Sequence, residues 1–371
     1  MALWELDAFK PPAFLGFVRQ AYEVVPQEYQ GSTWLPNQVV DDLAFEYLLG
    51  ANKRQAMATV LSFDAEAPLL QRGGSGERVV GELPPIKRKT RIGEKEIIRF
   101  TNPRFGTNDV GRAIDQVYSD TLDLIASVQS RVEWMATQVM SEDLLVYDED
   151  GIKFAFDYGI NGDFQWNIPA KLDNHARWGG GATNNALSFL GGSWNNPASA
   201  TYISDLQQIC DLVQRTTGQR PTDMWLSLKA RNYLINSTEI KGLVRGTAAG
   251  TTTIQLTPGE VQSVFDLYNL PTLHTNDVIV TRENRDGSLT DVRTMAENKA
   301  FLTQGRPVGN FLHGPTAESR VLGGTSLSAA GPGVWANTYA TDEPPAQWTK
   351  VAAVAFPTAP EMNRVAQLTL W

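Results

Sequence analysis

An α+β fold is predicted by three features of the sequence. Residues 108–140 are free of proline and carry apolar side chains at helical spacing, hairpins are marked by glycine-bearing turns, and helices alternate with strands through the middle of the chain. Of 371 residues, 42% are hydrophobic and 20% charged, a globular composition able to bury a core or two. The net charge of −9 argues against a surface that grips nucleic acid throughout. A single cysteine, Cys210, excludes an internal disulfide framework and a multi-cysteine metal centre. His175, His274 and His313 show no metal-ligand spacing. The first ten residues lack a basic run and carry Glu5 and Asp7 among their apolar residues, so no signal peptide is expected. The uncharged stretches 178–204 and 321–341 are rich in Gly, Asn, Ser and Thr, and neither reads as a membrane span.

Residues 1–40 mix aromatics with Pro11, Pro12, Pro26 and Pro36, so helix is expected only in pieces, such as 13–21, within an arm that lies on another surface. Apolar residues at helical spacing in 39–49, ahead of Gly50, predict a short helix. Two β limbs, 57–63 and 77–83, flank Arg72-Gly-Gly-Ser-Gly-Glu-Arg78, which reads as a flexible hairpin tip. Pro84-Pro-Ile-Lys-Arg-Lys-Thr-Arg91 follows. From Arg72 to Arg104 nine basic residues meet four acidic ones, a local charge of +5 that leaves −14 for the rest of the chain. A long two-stranded excursion with few large apolar residues is marginal alone and needs a surface to lie on.

In 108–140 the apolar positions are 110, 114, 117, 121/122, 125, 128, 132, 135 and 139, the period of a helix, and Asn108 or Asp109 can cap its start. Residues 144–147 and 152–158 pair as a hairpin across Asp148-Glu-Asp-Gly151, and Asn161-Gly162 marks a second turn. Helices are expected at 198–217, 229–245 and 260–267, and strands at 223–228, 274–282, 289–294 and 299–302, with Arg285-Asp-Gly287 as a turn. Pro344-Pro345 closes this segment, and 349–356 with 364–371 supply two final strands.

Catalytic signatures are absent from the sequence: it has no Walker loop, no Gly-x-Ser-x-Gly elbow and no His-Glu-x-x-His helix. Gly74-Ser-Gly76 imitates the opening of a nucleotide loop, but no helix start follows it, so a loop tip is expected. Asp148-x-Asp150-Gly151 imitates a calcium loop without the glutamate at its twelfth position and reads as a hairpin turn. Cys210 reads as a core thiol, and the histidines as packed or ordinarily hydrogen-bonded side chains. Asn236-Ser-Thr238 is an accidental sequon. The ten tryptophans are scattered and read as core or interface anchors. Lys87-Arg-Lys-Thr-Arg91 keeps three readings: a solvated strand face, an intersubunit ion-pair patch, or a nucleic-acid contact.

The order of arm, basic β excursion with a glycine tip, long helix, hairpin, helix–strand unit and final strands resembles the major capsid proteins of tailed bacteriophages. These have the HK-ninety-seven fold, and the nearest type is the lambda-type major head protein (capsid protein E) family. The most specific pieces are Gln71-Arg-Gly-Gly-Ser-Gly76 with Pro84-Pro-Ile-Lys-Arg-Lys89, the long helix, Asp223-Met-Trp-Leu-Ser-Leu-Lys-Ala-Arg231, and Ala353-Val-Ala-Phe-Pro357 with Val365-Ala-Gln-Leu-Thr-Leu370. The resemblance implies an N-terminal arm and short helix at 1–54, and an extended loop at 55–105 that lies over a neighbouring subunit. It implies a discontinuous peripheral domain at 106–200 and 346–371, with a spine helix at 108–140 and a long β sheet at 144–158, and an axial domain at 201–345. Its candidates for intersubunit contact are Arg72, Gly73, Gly74, Gly76, Arg78, Lys87, Arg88, Lys89 and Arg91.

The same resemblance implies a shell-forming protein with no enzymatic activity, no cofactor, and no catalytic or metal-binding residues. Its partners would be copies of itself as pentamers and hexamers, a portal and a decoration protein. Forty residues of arm leave no room for a built-in scaffold, so a separate scaffolding protein is expected. The shell would enclose double-stranded DNA without sequence-specific binding, engage no membrane, assemble in the host cytoplasm and reside in the virion. Exposed hairpins and a proline-rich arm, liabilities in a monomer, suit such association. Two other classes stay open: a tail tube or portal subunit, the first mostly β without the long helix and the second richer in helix, and a cytoplasmic enzyme that lacks a recognisable motif.

Overall fold

The computed structural model describes residues 11–24, 26, 28–49, 78–101, 109–142, 144–149, 152–160, 164–173, 190–246, 255–284, 286–321, 328–331 and 333–371. The chain begins with α1 (Pro11–Glu23), α2 (Gly31–Trp34), β1 (Asn37–Val39), β2 (Ala44–Leu48), β3 (Arg78–Glu82), β4 (Pro85–Ile92), α3 (Glu94–Thr101) and α4 (Asp109–Ser141). There follow β5 (Leu144–Glu149), β6 (Ile152–Asp157), β7 (Gln165–Asn167), β8 (Leu172–Asp173), α5 (Tyr202–Thr217), β9 (Asp223–Leu226), α6 (Leu228–Asn236), α7 (Thr238–Arg245) and α8 (Pro258–Leu267). The remainder is β10 (Thr272–Thr275), β11 (Ile279–Glu283), β12 (Leu289–Arg293), β13 (Lys299–Thr303), β14 (Asn310–His313), α9 (Ala317–Val321), β15 (Ser328–Gly331), β16 (Val334–Asp342), β17 (Pro345–Thr358) and β18 (Ala366–Thr369). No helix among the described residues is long and apolar enough to cross a membrane.

The chain divides into two compact units, Met1–Glu46 with Val80–Ala136 and Asn310–Thr358, and Tyr47–Val79 with Thr137–Gly309 and Ala359–Trp371. In the first, β17 pairs with β14, β16 and β4, with β1 beyond β14 and β15 beyond β16, and β4 lies on the edge of β17 opposite β16. Alternation sends Ile86, Val351, Ala353, Val334 and Ala336 to one face of this sheet. That face meets Leu124, Ile125 and Val128 of α4 together with Phe14, Val18 and Tyr22 of α1. Burial of each such aliphatic side chain contributes about 1.5–3 kcal/mol. The ambiguity at 121/122 falls to Thr121, which is buried and donates its hydroxyl to Val117 O at 2.7 Å, while Leu122 faces out.

The surface beneath the N-terminal segment is therefore α4. Glu133, on α4, accepts hydrogen bonds from the backbone N–H groups of Gln30 (3.0 Å) and Gly31 (2.8 Å), and Tyr29 pairs with Ser130 at 2.8 Å. A Cβ at position 31 would lie 2.7 Å from Glu133 Oε2, so glycine is required for the approach.

Several expectations are corrected. Residues 39–49 form no helix. The Asp42 carboxylate accepts from the N–H groups of Leu43 and Ala44, an Asx turn that competes with helix initiation. The chain then leaves as β2, which pairs with β3 and stacks Phe45 on Phe356. The segment 229–245 is two helices, because Ser237 ends α6 and its hydroxyl accepts from Ile240 N to start α7. The segment 274–282 is split between β10, parallel to β9, and β11, which forms a hairpin with β12. The resemblance placed a long β sheet at 144–158; those residues form the separate two-stranded ladder β5–β6, and the long ladder is β16–β17. The expected boundaries at 200 and 345 do not coincide with the two units, because β14 and β16 pair with β17, whereas β18 lies in the other unit's sheet. The expected strand at 57–63 and the glycine tip at 72–77 lie outside the described residues.

The second unit contains a six-stranded sheet in the order β10-β9-β13-β18-β7-β8. The Asp223–Arg231 motif is realised as a strand, an N-cap at Ser227 whose hydroxyl accepts from Ala230 N, and a helix. Asp205 is fully buried and accepts from Gly191 N, Trp194 Nε1 and Thr201 Oγ1, so it clamps the start of α5 to the preceding loop.

Candidate assembly surfaces

Residues 85–92 form an edge strand rich in Lys and Arg. Such charges discourage unplanned pairing at a sheet edge and leave a charged face for planned contact. The register sets Lys87 opposite Ala352, Lys89 opposite Lys350 and Arg91 opposite Trp348, all on the face turned away from α1 and α4. Arg88 lies on the other face opposite Val351, with Ile86, Thr90 and Ile92. The cluster is thus divided between two faces.

Its members do different things. Lys87 and Lys350 each donate to Glu318 Oε1, both at 2.6 Å. Glu318 sits on α9, a helix begun where Thr316 Oγ1 accepts from Ser319 N at 3.1 Å. Burial favours its neutral form, but the two ammonium groups outweigh burial and hold its carboxyl down at about 2. Lys89 lies 4.4 Å from the Trp348 ring centre and the Arg91 guanidinium 5.6 Å from it, cation–π contacts that steady both side chains. Like charges directly opposite each other in a ladder repel. The Lys89–Lys350 pair is relieved because Lys350 turns to Glu318 while Lys89 turns to Trp348. Lys87 therefore has a partner within its own unit, and Lys89 and Arg91 present their charge outward. Arg78 is exposed at the start of β3; Arg72, Gly73, Gly74 and Gly76 lie outside the described residues.

Sequence reasoning missed Glu318, Trp348 and Lys350. A lone lysine in an otherwise apolar final strand was the available signal for Lys350.

Because the folded-state value of Glu318 lies below its ordinary 4.5, the stabilisation it supplies is complete above pH 4.5 and disappears as the pH falls towards 2. The lysines are 40% and 26% exposed, so solvent screening reduces the effect. Glu318→Gln should cost about 1–3 kcal/mol at pH 7 and flatten the acid limb of the stability curve. Urea unfolding at pH 7 and pH 3 measures both.

Of the other sequence-predicted groups, Cys210, His274 and His313 are held within the fold, and His175 lies outside the described residues. Cys210 is buried, and burial pushes its thiol up to about 12, with smaller opposing effects from Arg220 and Asp211. His274 Nε2 lies 2.9 Å from Asp223 Oδ1, and its ring stacks on Trp225. His313 is buried; its Nε2 lies 3.1 Å from Asn37 Oδ1, and burial pushes its value down to about 4. The turn at 148–151 spends Asp148 on an ion pair with Lys153 (2.7 Å), and the ladder closes Glu149 against Ile152. Among the described residues no group of three or more His, Cys, Asp or Glu is placed to hold a metal ion.

No protein-family model matches the sequence, and no curated protein matches it either. Among solved structures, one described as a prophage capsid protein from E. coli CFT073 is 13% identical, with 98% of this chain and 99% of that chain covered and a TM-score of 0.60. A phage-related protein from Bordetella bronchiseptica RB50 is 11% identical, with 97% and 96% covered and a TM-score of 0.53. Both likenesses cover nearly the whole of each chain, so the chain has an α+β fold of the HK-ninety-seven phage capsid type.

Proposed function

We propose that this chain is a major capsid protein that self-assembles into the icosahedral shell enclosing a phage genome. The observation that carries the reading is end-to-end likeness, over nearly the whole of both chains, to a structure described as a prophage capsid protein. The role is structural rather than enzymatic. In this reading the partners are further copies of the chain in pentamers and hexamers, a separate scaffolding protein, a portal and a decoration protein. Double-stranded DNA is enclosed without sequence-specific contact, no membrane takes part, and shells built in the host cytoplasm become virions. The extended loop is assigned to the part of the expected 55–105 span that precedes β4, with Arg72, Gly73, Gly74, Gly76 and Arg78, because residues 85–92 pair with β17 as β4 and 94–101 form α3. The peripheral and axial domains correspond to the two units, divided where their sheets divide. The 33-residue α4 is foreign to a mostly β tail-tube subunit.

Many weak contacts repeated by symmetry give a sharp assembly threshold. The purified chain, alone or with its scaffold, should form closed shells or rings by electron microscopy above that threshold. A monodisperse monomer at tens of micromolar across salt conditions, with the scaffold present, would contradict the reading.

A further inference from the structure

Among the described residues, two surfaces of the first unit carry opposite charge. On the sheet face, Lys89 and Arg91 flank half-buried Trp348, and among the described residues no carboxylate pairs with either cation. On α3 and α4, Glu94, Glu96, Asp115 and Asp123 are exposed and Asp120 half-buried, with Lys95 an exposed cation beside them. Among the described residues, the Glu96 carboxylate accepts from Gly93 N (3.2 Å) and that of Asp120 from Gln116 Nε2 (2.8 Å). Asp123 and Glu96 crowd Asp120 closely enough to add to burial in raising its value, against the Gln116 hydrogen bond. The same elements expose aliphatic surface at Ile98 (63%) and Leu122 (45%). An aromatic side chain ringed by cations on one patch, and aliphatic groups ringed by carboxylates on the other, are complementary in both respects.

We propose that the β4–β17 face of one copy docks on the α3–α4 surface of a second copy, bringing Lys89 and Arg91 against Glu96, Asp120 and Asp123 with Trp348 at the centre. The inference rests on the shell-forming reading and gives it a contact. Because the two patches differ, the contact is heterologous, the kind that closes into rings rather than isolated pairs. Lys87 is not part of it, being held by Glu318.

Charge exchange tests this. One variant carries Lys89→Glu and Arg91→Glu, a second carries Glu96→Lys and Asp123→Lys, and a third carries all four changes in one chain. Exposed pairs are individually weak but recur in every subunit, so each two-site variant should raise the assembly threshold about tenfold or more. The four-site chain, whose patches are again complementary, should return to within about twofold of the parent. Sedimentation velocity and microscopy read the threshold, and circular dichroism confirms the fold. Should the reversals unfold the chain, Lys89→Gln with Arg91→Gln should still raise the threshold by a smaller factor. Two-site variants that assemble like the parent overturn the inference and leave the shell reading standing, as does a four-site chain that stays unassembled. A parent chain that never assembles overturns both.

Discussion

Replacing Ile125 with aspartate should abolish soluble folding, and Val128→Asp should do the same. Both side chains are about 1% exposed on the α4 stripe, enclosed by α1 and by Val351 and Ala353 of β17. The substitution loses aliphatic burial and forces a carboxylate into a site with no hydrogen-bonding partner, a cost of about 4 kcal/mol or more. That is a large share of the roughly 5–15 kcal/mol that holds a typical domain together. Leu122→Asp, three positions away on the exposed side of the same helix, should change stability by only about 0.5 kcal/mol. Thermal melting and the soluble fraction after expression measure the contrast. Equal melting of the position 122 and 125 variants would show that the stripe does not face the sheet.

Gly333→Ala should destabilise the chain by roughly 3 kcal/mol, from about 1–2 for a side chain at positive φ and about 1–3 for overpacking. Gly333 has φ +80°, and a Cβ there would sit 2.5 Å from His313 Nδ1 and 2.6 Å from Cγ. The imidazole is buried, holds Asn37 through Nε2, and sits on β14 between β1 and β17, so it cannot swing away without loosening the sheet. His313→Ala removes the obstacle but not the backbone strain. In the double variant the added cost of the Gly333 change should fall to about 1–2 kcal/mol. Denaturant unfolding of the four proteins gives the coupling, and strictly additive costs would rule out the clash.

What the sequence made legible follows from the range of the forces involved. Helix α4 could be read because its stripe repeats over many turns, whereas the strand expected at 223–228 absorbed Ser227, the residue that caps α6, and the helix expected at 229–245 ran through Ser237. Residues 39–49 misled because a few apolar residues fit either period, and the Asp42 side chain decided between them. The two faces of 85–92 followed from strand alternation, but their partners did not. Glu318 lies on a five-residue helix too short to show a period, and the opposition of Lys89 to Lys350 exists only once β4 has found β17, more than 250 residues away. The obstruction at Gly333 is similarly invisible until β14 brings His313 alongside. Of the contact candidates, sequence reasoning named Lys89 and Arg91 but could not separate them from Lys87, whose charge is spent at home.

The strand order has a consequence for synthesis. In the second unit β18 lies between β13 and β7, bonded to both, so until residues 366–369 leave the ribosome that sheet exists only as two unjoined halves. The first unit likewise waits for β17, which carries β4, β14 and β16 together. Long-range pairing of this kind is slow and cannot start early. A nascent or truncated chain therefore lacks the finished sheet on which Lys89, Arg91 and Trp348 are displayed. The topology therefore orders events in synthesis: the docking face forms only after β17, which follows β4 by more than 250 residues, has been made.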